Sequence, residues 1–302
     1  APERVDVRLI RECPEDWAGK VNALWTAYRE SALAQSAEYV LFADADTMLA
    51  PECLRACLSL MEERGLEMLS LLSTLTRDKW FERIAQPVAA MELVRMFPLV
   101  RTNFPNQKRP FANGQFILVK RSAYERLGGH AVVHWAVLED VELARAADRA
   151  QVPLGVFLAD GLLHCRMYAD FEDFRNGWKR IFSECSNRKV SRLRGIAWKL
   201  RLIGAVLPAL ALAGAVAGAW ARFAGGVGGV GDWALGMGAA AVVMFAAVIG
   251  ACALMGRTPL VGVPLFPLGA WQVAGILSEA ATDLRAGKPI RWAGREYVRE
   301  AR

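Results

Sequence analysis

Tyr39-Val40-Leu41-Phe42-Ala43-Asp44-Ala45-Asp46, followed by Thr47-Met48-Leu49-Ala50-Pro51, is the stretch whose reading decides the fold. Its first five residues form a short apolar run bounded by charge, the pattern of a strand buried on both faces of a parallel sheet. Asp44 and Asp46 fall where that strand ends. Two carboxylates one residue apart at the carboxyl end of a strand reach the crevice where open α/β sheets bind ligands. Hard oxygen donors of this kind suit Mg2+ or Mn2+ carrying a diphosphate. In most proteins an Asp-x-Asp only solvates a loop or caps a helix, so the motif takes its meaning from context. Here it follows an apolar strand and precedes a helix with Pro51 at its first position and Gly65 as its stop.

Toward the amino terminus, residues 5–10 alternate as a strand would. Residues 16–36 carry helical apolar spacing at Val21, Leu24, Trp25, Tyr28 and Leu33, with Asp16 as the expected N-cap. Lys20, in the first turns of that helix, is a candidate phosphate ligand assisted by the helix dipole, although most surface lysines are merely solvated. Toward the carboxyl terminus come a buried strand at residues 66–73 and a helix at 78–98 that Pro87 should bend. Asn113-Gly114-Gln115 then enters a strand, where the glycine marks either close approach by a ligand or a bulge. After the turn Gly128-Gly129-His130, residues 138–150 read as a helix with Glu139 and Asp140 in its first turn. Acidic residues there are ordinary dipole partners, and a carboxylate projecting into a cleft is also well placed as a general base. Strands follow at 153–159 and 161–166; His164 is a candidate metal ligand, against the commoner reading of a satisfied core histidine.

The 302 residues suffice for two units. Apolar residues make up 54% of the chain but concentrate from Leu202 onward, whereas most acidic residues precede Asn187. The net charge of +6 is carried largely beside the apolar runs, with nine basic residues and one acidic between 175 and 201. Anionic lipid head groups explain that placement more economically than nucleic acid. In residues 170–187, Phe171, Phe174, Trp178 and Phe182 recur at helical spacing among Arg175, Lys179 and Arg180, so the cations are expected to face phosphate. Residues 202–220 and 233–255 have the length of membrane spans, whereas the Pro-containing segment 260–281 is expected to be re-entrant or interfacial. The division expected is therefore 1–187 catalytic, 188–201 basic and juxtamembrane, 202–282 membrane, and 283–302 a basic cytoplasmic tail. Six cysteines without a CxxC pair indicate a reducing setting.

In order, Gly19-Lys20 with Asn22-Ala23-Leu24, Asp44-Ala45-Asp46, Asn113-Gly114-Gln115, Gly128-Gly129-His130, Glu139-Asp140 and the aromatic, basic helix resemble an inverting family 2 glycosyltransferase of the GT-A fold. The chain looks most similar to the hopene-associated glycosyltransferases of bacterial hopanoid biosynthesis. The resemblance implies an α/β domain with a mostly parallel sheet and flanking helices, followed by C-terminal transmembrane helices in the bacterial inner membrane, with the catalytic domain cytoplasmic. It implies a nucleotide-sugar donor held by Lys20, Asp44 and Asp46, and Mn2+ or Mg2+ on the two aspartates with His164 as a further ligand. Asp140 would be the catalytic base, with Gly114, Gln115, Glu139, Trp178 and Arg180 toward the acceptor or phosphate. The acceptor implied is a lipid, possible classes being a hopanoid or, in the alternative, a polyprenyl phosphate; a non-catalytic membrane scaffold is the reading from another class. The pattern departs from the family twice. No first nucleotide-binding βαβ unit precedes Val5, so the chain is expected to be truncated at its amino terminus. The Gln-x-x-Arg-Trp of processive members is replaced by Arg175-Asn176-Gly177-Trp178-Lys179-Arg180, which argues against polymer synthesis.

Overall fold

The computed structural model describes residues 5, 7–104, 109–224, 229–255, 260–292, 295–298 and 300–302. In chain order its elements begin with α1 (Gly19–Glu30), α2 (Ala32–Ser36), β1 (Tyr39–Ala43), β2 (Thr47–Leu49), α3 (Cys53–Arg64), β3 (Met68–Leu72) and β4 (Thr74–Leu75). Next come α4 (Trp80–Ile84), α5 (Gln86–Met96), α6 (Leu99–Asn103), β5 (Phe116–Lys120), α7 (Arg121–Arg126), α8 (Glu139–Arg149), β6 (Leu154–Leu158) and β7 (Leu163–Cys165). The last are α9 (Phe171–Cys185), α10 (Val190–Arg201), α11 (Leu207–Phe223), α12 (Val230–Met255), α13 (Phe266–Arg285), β8 (Ile290–Trp292) and β9 (Arg295–Tyr297). They fall into two units, the first made of Ala1–Thr76, Val94–Ala169 and Pro289–Val298.

The first unit is built on a four-stranded sheet of order β1-β5-β3-β6. β5 runs antiparallel to both β1 and β3, and only β3 and β6 are parallel. A smaller sheet, β2-β7-β4, pairs β7 antiparallel to β2 and parallel to β4. The sheets are thus mixed, which corrects the expected mostly parallel arrangement. β1 is correspondingly an edge strand among the described residues, half-buried over Tyr39–Leu41, buried at Phe42 and exposed at Ala43, rather than covered on both faces. The reason is that an apolar run reports burial and not direction.

Side chains alternate across the large sheet and so define two apolar layers. Ile117 and Val119 of β5 join Val21, Tyr28, Phe42, Tyr124 and Leu143 on one face. Phe116 and Leu118 join Met61, Leu69, Leu71 and Leu163 on the other. Each such fully buried large side chain stabilises the fold by about 1.5–3 kcal/mol relative to exposure. Val7 and Leu9 remain exposed and the described residues of 5–10 form no strand, since alternation without a paired neighbour buries nothing. α1 starts later than expected, capped at Ala18 without a side-chain bond. Asp16 instead lies 3.6 Å from His134. The helix breaks at Ser31, whose hydroxyl accepts from the Ala34 N–H and starts α2. Pro51 lies in the turn before α3, while Gly65 ends that helix at φ 62°, in the left-handed region. Pro87 lies in the first turn of α5, where its missing N–H forfeits no helical bond.

The second unit comprises Arg77–Leu93, Asp170–Lys288 and Arg299–Arg302. The Asp170 carboxylate accepts from the N–H groups of Glu172 and Asp173, at 2.8 and 2.9 Å, and so starts α9. The stripe Phe174, Trp178 and Phe182 is buried in an aromatic ladder with Phe81 and Phe171. Arg175 lies 3.7 Å from Glu279 of α13, and Lys179 lies 2.5 Å from Asp283. These two cations face carboxylates of the same chain, which corrects the expectation that they face phosphate; their partners lie far along the sequence. α10 runs through a π-helical turn, Leu202–Val206, into α11. Val190–Phe223 and Val230–Leu254 are each long and apolar enough to cross a membrane.

α11 and α12 form a hairpin that depends on small residues. A Cβ on Gly218 would come within 2.5 Å of the Leu235 nitrogen, and one on Gly238 within 2.6 Å of the Ala215 nitrogen. Arg222 and Asp232 pair at 3.0 Å at the end where the two helices are connected. α13 is not of this kind. It buries Ala270, Ala274, Leu277 and Ala281 and carries Glu279 and Asp283 toward α9.

Candidate active site

The end of β1, the approach to β5, and the first turns of α1 and α8 converge on one cluster. Lys20 Nζ stands 2.6 Å from Asp44 Oδ1 and 2.6 Å from Glu139 Oε1. Asp140 accepts from the Gly114 N–H through Oδ2 and from the Val141 N–H through Oδ1, each at 2.8 Å. A Cβ on Gly114 would lie 3.1 Å from Glu139 Oε1, 3.2 Å from Asp140 Oδ2 and 3.2 Å from Lys20 Nζ. A side chain here would press on all three groups, each of which would have to give by a few tenths of an ångström.

Three carboxylates surround one ammonium, and their burial separates their proton affinities. Burial pushes the Asp140 carboxyl up to about 6, and the neighbouring Glu139 charge adds to the rise. Burial acts the same way on Glu139, but the Lys20 ammonium outweighs it and holds that carboxyl below its ordinary value. For Lys20, burial favours the neutral amine, and Glu139, Asp44 and Asp140 together reverse this and raise its pKa. Asp44 is raised by burial, which Lys20 opposes only in part. The result is a charged Glu139 beside a carboxylate, Asp140, poised to exchange a proton near neutrality.

Asp46 is exposed on the turn after β1. Burial, with the Asp46 charge adding to it, pushes the Cys165 thiol pKa up. Gln115 Nε2 donates to Cys165 Sγ at 3.1 Å. Gln115 Oε1 accepts from Ser73 Oγ and, at 2.9 Å, from Asn113 Nδ2. His130 is buried against Phe42. Tyr124 Oη accepts the His130 backbone N–H at 3.0 Å and lies 2.6 Å from Nδ1. Burial drops this imidazole to about 4.

Of the residues singled out from sequence, Lys20, Asp44, Glu139, Asp140 and Gly114 meet directly, and Gln115 bonds to Cys165 of β7. His164 is exposed on β7, on the opposite face of the strand from Cys165. Trp178 and Arg180 belong to the second unit, with Trp178 buried and Arg180 half-buried on α9. Sequence reasoning missed Cys165, Ser73 and Tyr124. A single cysteine, serine or tyrosine in an apolar segment carries no periodic or spacing signal.

Among the described residues no group of three or more His, Cys, Asp or Glu side chains could enclose a metal ion. Asp44 and Asp46 nevertheless offer the hard donor set that suits an ion taking its remaining ligands from diphosphate and water. An α/β sheet with a lysine and three carboxylates gathered at one end, continued in the same chain by long apolar helices, defines an enzyme domain with a helical apolar extension. Residues 39–260 match the family described as Glycosyl transferase family group 2, and the chain belongs to that family. Membership indicates a glycosyltransferase, of a family that generally uses nucleotide-sugar donors and acceptor substrates. No curated protein matches the chain.

Proposed function

We propose that the chain is a membrane-bound, inverting glycosyltransferase that uses Mn2+ or Mg2+ to move a sugar from a nucleotide donor to a lipid acceptor. The observation that carries this reading is the convergence of Lys20, Asp44, Glu139 and Asp140 about Gly114. When bound, the divalent ion would neutralise the departing diphosphate at Asp44 and Asp46. Lys20 would carry part of the same charge. Asp140, its two oxygens oriented by the Gly114 and Val141 N–H groups, takes the proton of the acceptor hydroxyl as its oxygen attacks the anomeric carbon and the bond to the diphosphate breaks. A single displacement inverts the anomeric configuration. A hopanoid acceptor is the choice that the sequence resemblance supports.

Membrane attachment is supported by α11 and α12, and the topology by the carboxyl-terminal tail. Gly19 N–H donates to Tyr297 Oη at 3.2 Å, and Arg295 reaches Cys13 Sγ at 2.9 Å. A tail that touches the catalytic unit lies on its side of the bilayer, so an even number of crossings separates them. α11 and α12 supply two, leaving α13 as a helix that does not span. The basic tail favours the cytoplasmic side.

The test is Mn2+-dependent transfer from a panel of radiolabelled nucleotide sugars into membrane lipid by the full-length protein, alongside Asp46→Ala and Asp140→Asn. Label in a lipid fraction that both substitutions abolish is the expected result. Transfer that survives both, or no transfer from any donor, overturns the assignment.

A further inference from the structure

We propose that Ser70 and Asn113 are positioning residues, which clamp the turn carrying Gly114 to β3 and so fix the N–H that orients the Asp140 carboxylate. The inference rests on the reading of Asp140 as the base and deepens it, by assigning to a buried strand the task of aiming that base.

β3 is the strand to which such a task can fall, because it is paired on both sides, with β5 and with β6. Its sequence is Met68-Leu69-Ser70-Leu71-Leu72, so one hydroxyl stands in an otherwise apolar run. Ser70 is fully buried. A hydroxyl taken out of water costs free energy unless it is hydrogen-bonded, and this one is bonded twice to one residue. Ser70 Oγ accepts the Asn113 N–H at 2.8 Å and donates to the Asn113 carbonyl at 3.2 Å. The β3–β5 ladder ends at the pair Ser70–Ile117. Beyond that pair the serine side chain takes over from the backbone and holds the incoming segment by both of its polar groups.

Asn113 carries the restraint onward. Its carbonyl also accepts from the Phe116 N–H at 3.1 Å, closing a turn with Gly114 and Gln115 at its centre. Its side-chain amide donates to the Leu71 carbonyl and to Gln115 Oε1, both at 2.9 Å. Both amide hydrogens are thus used on β3 and within the turn, and neither is left for a substrate. Held in this way, the turn presents the Gly114 N–H to Asp140 Oδ2 at 2.8 Å. The other oxygen of Asp140 accepts from Val141 on its own helix. It is the Gly114 bond that ties the carboxylate to the sheet rather than to α8. Misplacing a reacting group by about 1 Å costs about 100-fold in rate.

The experiment measures sugar transfer into membrane lipid by the full chain in detergent, with the nucleotide sugar that labels lipid in the donor panel. Binding of uridine diphosphate and guanosine diphosphate with Mn2+ is followed alongside by calorimetry. Ser70→Ala, Ser70→Thr, Asn113→Ala, Asp140→Asn and the double variant Asp140→Asn with Asn113→Ala are compared. Ser70→Ala and Asn113→Ala are each expected to lower kcat about tenfold, with the donor KM and the diphosphate affinity within about twofold. Ser70→Thr, which keeps the hydroxyl, should recover most of that loss. In the Asp140→Asn background, removal of the Asn113 amide should change the residual rate by less than about twofold, because the group being aimed is gone. Asn113 is half-buried on a turn, so its variants carry the comparison if Ser70→Ala does not fold. An unchanged kcat, a donor KM that rises as kcat falls, threonine no better than alanine, or an undiminished effect in the Asp140→Asn background each overturns the positioning role alone. Full transfer by Asp140→Asn overturns the reading of Asp140 as the base, and this inference with it.

Discussion

Asp140 shows how one residue's surroundings set its chemistry. Its carboxyl is raised to about 6 by burial and by Glu139, and a base works only as the carboxylate. Activity should therefore be present above that value and fall as pH drops through it, so kcat/KM is expected to show an acid limb near pH 6. Asp140→Asn should remove about 100-fold or more of the rate with little change in donor binding. Gly114→Ala pushes a methyl group against Glu139, Asp140 and Lys20 at once. Transfer should drop by at least about tenfold, measured in the same lipid assay. His130 makes a prediction of opposite kind. Its pKa is depressed from 6.5 to about 4, so the unfolded chain takes up a proton that the folded protein refuses. That contribution to stability is whole above pH 6.5 and is lost as pH falls toward 4. Replacing His130 and Tyr124 together by Phe should flatten the decline of the melting temperature across this window. The acids and the lysine were legible in the sequence because charged residues at strand and helix ends have few other tasks. Cys165 and Tyr124 were not, because their roles exist only through partners from distant segments.

Helices and strands were legible where apolar period and end signals agreed. β3, β6, α8 and α9 lie where the sequence places them, and Gly65 stops α3 as its type requires. Sheet direction was not legible, since β5 enters between β1 and β3 by a route that no residue of β5 encodes. The α9 cations read as phosphate ligands until Glu279 and Asp283 arrive from α13. The hairpin of α11 and α12 is the most exacting element, because backbone meets backbone at Gly218 and Gly238. Gly238→Val should destabilise it by about 1–3 kcal/mol, read as a lower thermal midpoint in detergent. Gly236→Val, with open space at its Cβ, should leave the midpoint nearly unchanged.

For the molecule as a whole, the proposed topology predicts that the α/β unit and the tail share one side of a membrane crossed by α11 and α12. A tag after Arg302 should be modified from the same side as one on α3, and a tag between α11 and α12 from the other. A carboxyl terminus reached only from the side of the α11–α12 turn would overturn that topology. The distribution of charge along the chain does not show that residues 77–93 and α9 belong to the second unit. Nor does it show the return of the tail, because β8 and β9 are only three residues each.

The contact between Tyr297 and Gly19 also imposes a schedule on synthesis. The hydroxyl that receives the N–H at the start of α1 belongs to a residue translated 278 positions later. The first N–H of the helix that presents Lys20 therefore meets this partner only after both apolar helices have left the ribosome. A nascent chain halted before Pro289 should expose α1 to protease more readily than the released protein does. The bond at the start of α1 is thus made after the apolar helices have been synthesised.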